Sequence, residues 1–221
     1  MCAQPSYSLT LDALAEHHLR VSKDRIRGLI FDLDGTVLDS MGHHWKAWEQ
    51  VSKEYEFSLD KEKLLSMAGM PSTKIMSILC HEQGIDTSEF DMEGAALRKQ
   101  RLYASFAEEG TSVIPFVMNL ALEAKQLGIP MGIATGGSKL QVEKAMKSAQ
   151  IHDFFDIVVT CDDVTHGKPH PETFLRAAEL IRVKPEDCVG FEDADMGMQA
   201  IASANFLAAV DVRKLPGYPS L

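Results

Sequence analysis

Short apolar runs alternate with segments of helical periodicity along most of this chain, and this alternation constrains the fold more than any other feature. The run at 28–32 is apolar up to its last residue, which is typical of a parallel strand buried on both faces. Further strand-like runs lie at 131–134, 157–160, 188–191 and 206–210, with helical patterns at 116–127, 140–149, 172–181 and 196–204. Five strands that alternate with helices predict an α/β fold built on a doubly wound parallel sheet.

Residues 42–111 interrupt this alternation, because their apolar residues recur at helical spacing without a strand-like run. Such a pattern is typical of a small helical bundle. We therefore predict a catalytic core formed by 1–41 and 112–221, with an α-helical domain of 42–111 inserted after the first strand.

The first 26 residues lie ahead of the first predicted strand. Apolar residues from Leu9 to Val21 recur at roughly helical spacing, which predicts an amphipathic helix packed on the outside of the core. Thr10 or Ser8 is its predicted N-cap residue. No function is predicted for this segment.

Polar residues follow four of the predicted strands, at or shortly after the point where each strand ends. They are Asp32 and Asp34, Thr135 and Gly136, Lys168, and the pair Glu192 and Asp193. The carboxyl ends of parallel strands meet at one edge of a sheet, and open α/β proteins bind their ligands there. We therefore expect these residues to converge on a single site.

Four carboxylates in one crevice repel one another, since two unit charges about 4 Å apart cost roughly 4 kcal/mol at an effective dielectric constant of about 20. A hard divalent cation relieves this repulsion, and Mg²⁺ prefers oxygen ligands while keeping room for a phosphate. Lys168 adds a fixed positive charge, while Thr135 and the glycines after it offer a hydroxyl and unhindered N–H groups to an anion. The pattern predicts a site for magnesium and phosphate.

The Asp-x-Asp spacing indicates covalent catalysis. Residues i and i+2 of an extended segment point the same way, so Asp32 and Asp34 face the same substrate. Asp32 can then attack phosphorus, while Asp34 donates a proton to the leaving oxygen and later accepts one from water.

These motifs resemble, in order, the four signatures of the haloacid dehalogenase-like superfamily of aspartate-nucleophile phosphotransferases. The signatures are Asp32-x-Asp34-Gly-Thr36, Thr135 at a strand end, Lys168 in Gly-Lys-Pro, and Glu192-Asp193. The resemblance implies a Rossmann-like core with a small helical cap that closes over the site. It implies that Asp32 is the nucleophile and Asp34 the general acid and base, that Thr135 and Lys168 hold the phosphoryl group, and that Mg²⁺ is bound by Asp32, the Asp34 backbone carbonyl, Glu192 and Asp193.

Within the superfamily, the segment around Glu192-Asp193 and the ending around Asp211 are similar to the fructose-1-phosphate and 6-phosphogluconate phosphatase group. That group neighbours β-phosphoglucomutase. The resemblance implies a Mg²⁺-dependent phosphatase that hydrolyses a small phosphorylated metabolite, a sugar phosphate, through an aspartyl-phosphate intermediate. The alternative is a β-phosphoglucomutase-like mutase. Against it, Ser72 stands where the mutase has an arginine for the substrate phosphate, and Lys74 is near enough to replace that arginine only if the loop bends.

Two residues of the predicted cap are candidate substrate contacts. His44 resembles a residue present in both groups, and a half-buried helix histidine is an equally good interpretation. Lys99 resembles a cap lysine of the mutase, and its alternative is a solvated helix face.

Composition and charge limit the expected partners. The net charge of −10 and a pI near 5.2 argue against nucleic acid, since nucleic-acid-binding surfaces need basic stripes. No apolar run approaches the roughly 20 residues of a membrane helix, so we expect no membrane partner. The widely spaced cysteines favour a reduced chain in the cytoplasm, and a monomer is the default expectation because no interface-like stripe stands out. The cysteines are Cys2, Cys80, Cys161 and Cys188.

Overall fold

The computed structural model describes residues 10–88, 90–108 and 110–219. In chain order the elements are α1 (Leu11–Ala13), which continues as a π-helix over Leu14–Leu19, β1 (Gly28–Phe31), α2 (Met41–Glu54), α3 (Lys61–Ser66), α4 (Ser72–Glu82), α5 (Met92–Glu108), α6 (Pro115–Gln126), β2 (Met131–Ala134), α7 (Lys139–Ser148), β3 (Ile157–Val159), α8 (Glu172–Leu180), β4 (Cys188–Glu192), α9 (Asp195–Ser203) and β5 (Ala208–Asp211). Single 3₁₀ turns lie at Lys23–Arg25, Cys161–Asp163, Pro185–Asp187 and Val212–Lys214. Each of the five strands predicted from the sequence is present, with ends that differ by one or two residues at most.

All five strands are parallel and lie in the order β3-β2-β1-β4-β5. The chain builds outward from β1 through β2 to β3, and then crosses back to add β4 and β5 on the other side of β1. The crevice beyond the carboxyl ends of β1 and β4 is therefore the topological switch point, where open α/β sheets bind ligands. The predicted doubly wound parallel sheet is confirmed.

The side chains of β1 alternate between the two faces of the sheet and enter different hydrophobic clusters. Leu29 and Phe31 face the cluster that includes α6 and α7, whereas Ile30 faces the cluster that includes α8 and α9. All three side chains are fully buried. Burial on both faces explains why this strand carries apolar residues at successive positions.

The register between β1 and β4 sets the position of two candidate site residues. Phe31 pairs with Phe191, and the two rings stack with their centroids 4.5 Å apart. Asp32 follows Phe31 and Glu192 follows Phe191, so both residues lie at the same position along the same edge of the sheet.

Helices α2 to α5 share a hydrophobic cluster of their own. Trp48 and Val51 of α2 pack there with Leu79 of α4 and Leu102 of α5, and all four residues are buried. Within the described residues between Met41 and Glu108, no strand occurs. The segment is helical as expected, while the division into core and cap domains stays a prediction.

The helix at the N-terminus is short. Thr10 is its N-cap residue, and the Thr10 hydroxyl accepts a hydrogen bond from the Ala13 N–H at 3.1 Å. Ser8, the other predicted N-cap, lies outside the described residues. The helical path ends at Leu19, because Arg20 adopts a left-handed conformation with φ of 54°.

This N-terminal segment packs against α6. Leu11 and Leu14 are fully buried in the core cluster, and the Leu11 N–H donates a hydrogen bond to the Glu123 carboxylate at 2.8 Å. Leu19 and Val21 are partly buried against the same cluster, and Leu9 lies outside the described residues. The helix is shorter than the sequence pattern indicates.

In the part of the chain that the structure describes, no helix has both the length and the apolar character that a membrane crossing requires. Cys80 and Cys188 are buried and Cys161 is exposed. Cys2 lies outside the described residues.

Candidate active site

A cavity of about 250 Å³ lies between the carboxyl edge of the sheet and helices α2 to α5. Its core side contains Asp32, Asp34, Thr135, Gly136, Lys168, Glu192 and Asp193. His44 and Lys99 line it from the helical side. Every site residue predicted from the sequence therefore reaches this one cavity, although the residues come from distant parts of the chain.

Asp32 and Lys168 form a buried ion pair on the floor of the cavity. Asp32 directly follows β1, and its N–H still donates to the Phe191 carbonyl of β4 at 2.9 Å. The Lys168 Nζ lies 2.5 Å from Asp32 Oδ1 and 3.1 Å from Glu192 Oε2. It also lies 4.9 Å from the centre of the Phe174 ring. These contacts hold the lysine between two carboxylates with only 5% of its side chain exposed.

The charges of this pair are set by burial and by each other. Burial raises the pKa of Asp32 above its ordinary value, and Lys168 offsets only part of that effect. Burial alone would lower the pKa of Lys168, but the charges of Asp32 and Glu192 hold it above its ordinary value. Lys168 is therefore a fixed positive charge at the base of the cavity.

Asp32, Glu192 and Asp193 form a buried carboxylate cluster, in which one oxygen of each residue lies within 4.8 Å of the others. Burial raises the pKa of each residue, that of Asp193 to about 8, and neighbouring carboxylates add to the effect. Three ionised carboxylates against the single ammonium of Lys168 carry a net charge of −2, which one divalent cation balances. The all-oxygen donor set fits Mg²⁺.

Two glycines leave room for these carboxylates. A Cβ at Gly35 would overlap the Asp193 carboxylate, and Gly35 also has a φ of +79°, a conformation that favours glycine. A Cβ at Gly197 would overlap the Glu192 carboxylate. The turn at Gly35 is held from outside the motif, because the Tyr218 hydroxyl donates to the Gly35 carbonyl at 2.9 Å.

The predicted anion-binding residues follow β2. The Thr135 N–H donates to the Val159 carbonyl at 2.9 Å, so the strand pairing extends to the edge of the cavity. The Thr135 hydroxyl is buried and accepts a hydrogen bond from the Gly137 N–H at 3.1 Å. Gly136 has no heavy atom within 4 Å of the position that a Cβ would occupy, so the space beside its α-carbon is open.

The Asp34 carboxylate contacts residues at the start of α2 and on α2 and α5. Its Oδ1 accepts hydrogen bonds from the Ser40 hydroxyl at 2.7 Å and from the Tyr103 hydroxyl at 2.8 Å, and His44 Nε2 lies 3.6 Å away. Burial would raise the pKa of Asp34, but His44, Ser40 and Tyr103 together hold it well below its ordinary value. The contact between the Asp34 backbone carbonyl and a metal, implied by the family resemblance, stays a prediction.

His44 and Lys99 belong to the same network. The Lys99 Nζ lies 2.7 Å from His44 Nδ1, and the His44 ring stacks on Tyr103 at 4.1 Å. Burial, with the charge of Lys99, lowers the pKa of His44, and burial lowers the pKa of Lys99 to about 8. These contacts assign a neutral His44 that accepts a hydrogen bond from Lys99 at Nδ1 and turns Nε2–H towards Asp34.

Three residues around the site were missed in the sequence analysis: Ser40, Tyr103 and Tyr218. Tyr103 had a usable signal, since it lies four residues after Lys99 on α5 and so on the same face of that helix. Ser40 and Tyr218 carry no motif that distinguishes them from other polar residues.

A family model described as haloacid dehalogenase-like hydrolase matches residues 29–210, which is most of the chain. The chain belongs to this family. Both the resemblance noted in the motifs and the expected enzyme class, a haloacid dehalogenase-like hydrolase with phosphatases among its relatives, are confirmed.

Similar proteins in this family carry two kinds of name. Fructose-1-phosphate phosphatase YqaB of Escherichia coli (strain K12) is 35% identical over 192 residues, covering 87% of this chain and 99% of that protein. β-Phosphoglucomutase of Bacillus subtilis (strain 168) is 29% identical over 187 residues, covering 83% and 82%. The crystal structure of β-phosphoglucomutase from Clostridium difficile matches with a TM-score of 0.73 at 28% identity, covering 84% of each chain.

Proposed function

We propose that this haloacid dehalogenase-like hydrolase is a Mg²⁺-dependent phosphatase that acts on a small sugar phosphate through an aspartyl-phosphate intermediate. The observation that carries the proposal is the buried contact between Asp32 and Lys168, with Glu192 and Asp193 beside it at the floor of the cavity. This arrangement offers a nucleophile, a positive charge for a phosphoryl group and an oxygen site for a divalent cation within one small volume.

The metal is assigned to the carboxylate cluster. Asp32, Glu192 and Asp193 would hold it through their side chains, with the Asp34 backbone carbonyl as the further ligand that the family implies. Bound Mg²⁺ supplies positive charge that polarises the phosphoryl oxygens and offsets the repulsion among the carboxylates.

In the first step, the Asp32 carboxylate attacks phosphorus and the bond between phosphorus and the substrate oxygen breaks. Lys168 and Thr135 bind the non-bridging oxygens, and Asp34 gives its proton to the leaving alcohol. Asp34 is ionised in the absence of substrate, but a phosphate dianion nearby raises the pKa of a carboxyl and so favours the protonated form. In the second step, Asp34 takes a proton from water, which attacks phosphorus and frees Asp32.

The helices α2 to α5 act in this proposal as a cap. Apolar residues on the helical wall of the cavity exclude bulk water from the reacting groups. They include Trp45, Trp48, Leu64, Met70 and Ile75. A volume of about 250 Å³ favours a small metabolite over a polymer.

The charges of the cavity favour a phosphatase over the alternative, a mutase. A mutase has to bind phosphate at both ends of a sugar bisphosphate. The described residues that line the cavity include two lysines, Lys99 and Lys168, and no arginine. Lys99 is already hydrogen-bonded to His44. Ser72, at the start of α4, lines the same wall without a charge.

The test is phosphate release from a panel of sugar phosphates, measured with Mg²⁺ and with a chelator. We expect turnover that needs Mg²⁺ and that is abolished in Asp32→Asn, with Asp24→Asn, an exposed carboxylate near β1, as the matched control. Activity that survives in Asp32→Asn, or that is the same in the chelator, would contradict the proposal.

The covalent step and the mutase alternative need separate measurements. Rapid acid quench followed by mass spectrometry should find one phosphoryl group on the peptide that contains Asp32. A sugar 1-phosphate supplied with its 1,6-bisphosphate distinguishes the two functions, because a mutase forms the 6-phosphate faster than it releases free phosphate.

A further inference from the structure

Two histidines of the loop between β3 and α8 meet the first residue of α8, a glutamate, on the surface and outside the cavity described above. The His166 Nδ1 lies 2.9 Å from Glu172 Oε2, and the His170 Nδ1 lies 3.7 Å from the same oxygen. The two imidazole rings have their centroids 4.7 Å apart. One nitrogen or oxygen of each residue lies within 4.8 Å of the others.

Two of the three spacings in this group are close to the ligand edges of a tetrahedral metal site. With metal–nitrogen and metal–oxygen bonds of about 2.0–2.2 Å, neighbouring ligands of Zn²⁺ lie roughly 3.3–3.5 Å apart. The two distances from Glu172 Oε2, 2.9 and 3.7 Å, lie on either side of that value. A small rotation of two exposed imidazole rings brings both into range.

The carboxylate of this cluster is already held in position. The Glu172 Oε1 accepts a hydrogen bond from the Thr165 N–H at 2.7 Å, and Oε2 accepts one from the His166 N–H at 3.0 Å. A bound metal would take the place of the proton on His166 Nδ1. At His170 Nδ1 it would take the place of the long hydrogen bond, 3.3 Å, that the Glu172 N–H donates. Side-chain exposures of 62% for His166 and 51% for His170 leave the site open to an ion from solution.

We propose that His166, His170 and Glu172 form a second cation site, selective for a borderline divalent metal such as Zn²⁺ and separate from the carboxylate cluster. Two imidazoles and one carboxylate suit Zn²⁺ with water as its fourth ligand, whereas Mg²⁺ prefers an all-oxygen set. The site spans both sides of Lys168 in the sequence, so a bound ion restrains the loop that carries this lysine.

The test is a calorimetric titration of the Mg²⁺-saturated protein with Zn²⁺, with Mg²⁺ kept in excess to occupy the carboxylate cluster. We expect the wild type to bind one equivalent of Zn²⁺ that the double variant His166→Ala/His170→Ala loses. The control is His152→Ala, because the exposed His152 pairs with Asp153 at 2.8 Å but belongs to no three-ligand group among the described residues. It should keep the equivalent.

Two outcomes would overturn the proposal: Zn²⁺ stoichiometry unchanged in the double variant, or no Zn²⁺ bound by the wild type in the presence of Mg²⁺. Thermal unfolding of each variant without Zn²⁺ checks that the fold is intact. Glu172→Gln is the independent variant, since it keeps the shape of the side chain and a carbonyl oxygen as acceptor while it removes the charged ligand, and it too should lose the equivalent.

Discussion

Replacing Asp193 by asparagine is expected to raise the free energy of unfolding of the metal-free protein at neutral pH, although the same change removes a proposed metal ligand. Asp193 is 6% exposed and lies within 4.8 Å of the carboxylates of Asp32 and Glu192. Without a cation, the folded chain must either ionise Asp193 against these neighbours or keep it protonated. Asparagine removes that cost while preserving the shape of the side chain and the oxygen near the Thr36 hydroxyl at 3.4 Å.

The magnitude follows from the pKa of Asp193, which is about 8 in the folded protein against 3.8 for an ordinary aspartate. Between these values the unfolded chain gives up a proton that the folded chain retains, so the free energy of unfolding falls as pH rises from about 4 to 8. At pH 7 the cost is on the order of 4 kcal/mol, at about 1.36 kcal/mol per pKa unit over roughly three units. It is an upper limit, because Asp32 and Glu192 can share the proton.

The assay is urea unfolding in a chelator, at pH 5 and at pH 7.5, for the wild type and Asp193→Asn. We expect the variant to be the more stable protein at pH 7.5 and the difference to shrink at pH 5. Added Mg²⁺ should stabilise the wild type, more at the higher pH, and should stabilise the variant much less. Asp195→Asn is the matched control, since Asp195 is exposed and pairs with Arg213 at 2.7 Å. If Asp193→Asn is no more stable than the wild type at pH 7.5 without metal, the electrostatic reasoning is wrong.

Three further changes test other parts of the structure. Tyr103→Phe removes the 2.8 Å hydrogen bond to Asp34. A hydrogen bond to a charged group contributes roughly 1.5 kcal/mol, so kcat is expected to fall by about tenfold with little change in KM. Steady-state kinetics measure both constants, and an unchanged kcat would contradict the prediction. Gly35→Ala forces a methyl group against the Asp193 carboxylate at a φ of +79°, so the Mg²⁺ concentration for half-maximal activity is expected to rise. An unchanged Mg²⁺ titration of the activity would show that the added methyl group does not displace Asp193. Thr111→Val removes a buried hydroxyl that has no hydrogen-bond partner among the described residues, so urea unfolding is expected to show a gain of about 1 kcal/mol, and a loss would show that the hydroxyl is satisfied.

Local sequence was enough to predict the sheet, because a strand buried on both faces needs apolar residues at successive positions and the chain carries five such runs. The ends of the strands were less certain. The last strand begins at Ala208 rather than at 206, and Phe206 packs its ring against Phe174 of α8. The N-terminal helix was predicted too long, because helical periodicity does not reveal the left-handed turn at Arg20.

The convergence of the candidate site residues at the core side of the cavity was also predictable from the sequence. Asp32 and Asp193 follow strands of one parallel sheet, and Lys168 lies in the loop after β3. Parallel geometry brings the carboxyl ends of such strands together, independently of the loops between them. The convergence of these residues therefore depends on strand order and direction, which the alternating pattern of strands and helices already constrains.

What surrounds Asp34 was decided only by the tertiary structure. Its contacts come from Tyr103 and His44, which lie on helices of a separate hydrophobic cluster, and the sequence placed His44 near the site without showing how α5 packs against the end of β1. The same holds for the turn at Gly35, which is held by Tyr218 from the far end of the chain. Side chains so distant in sequence meet only when helices pack onto the sheet at particular angles, and packing depends on the shapes of many side chains at once rather than on any local pattern.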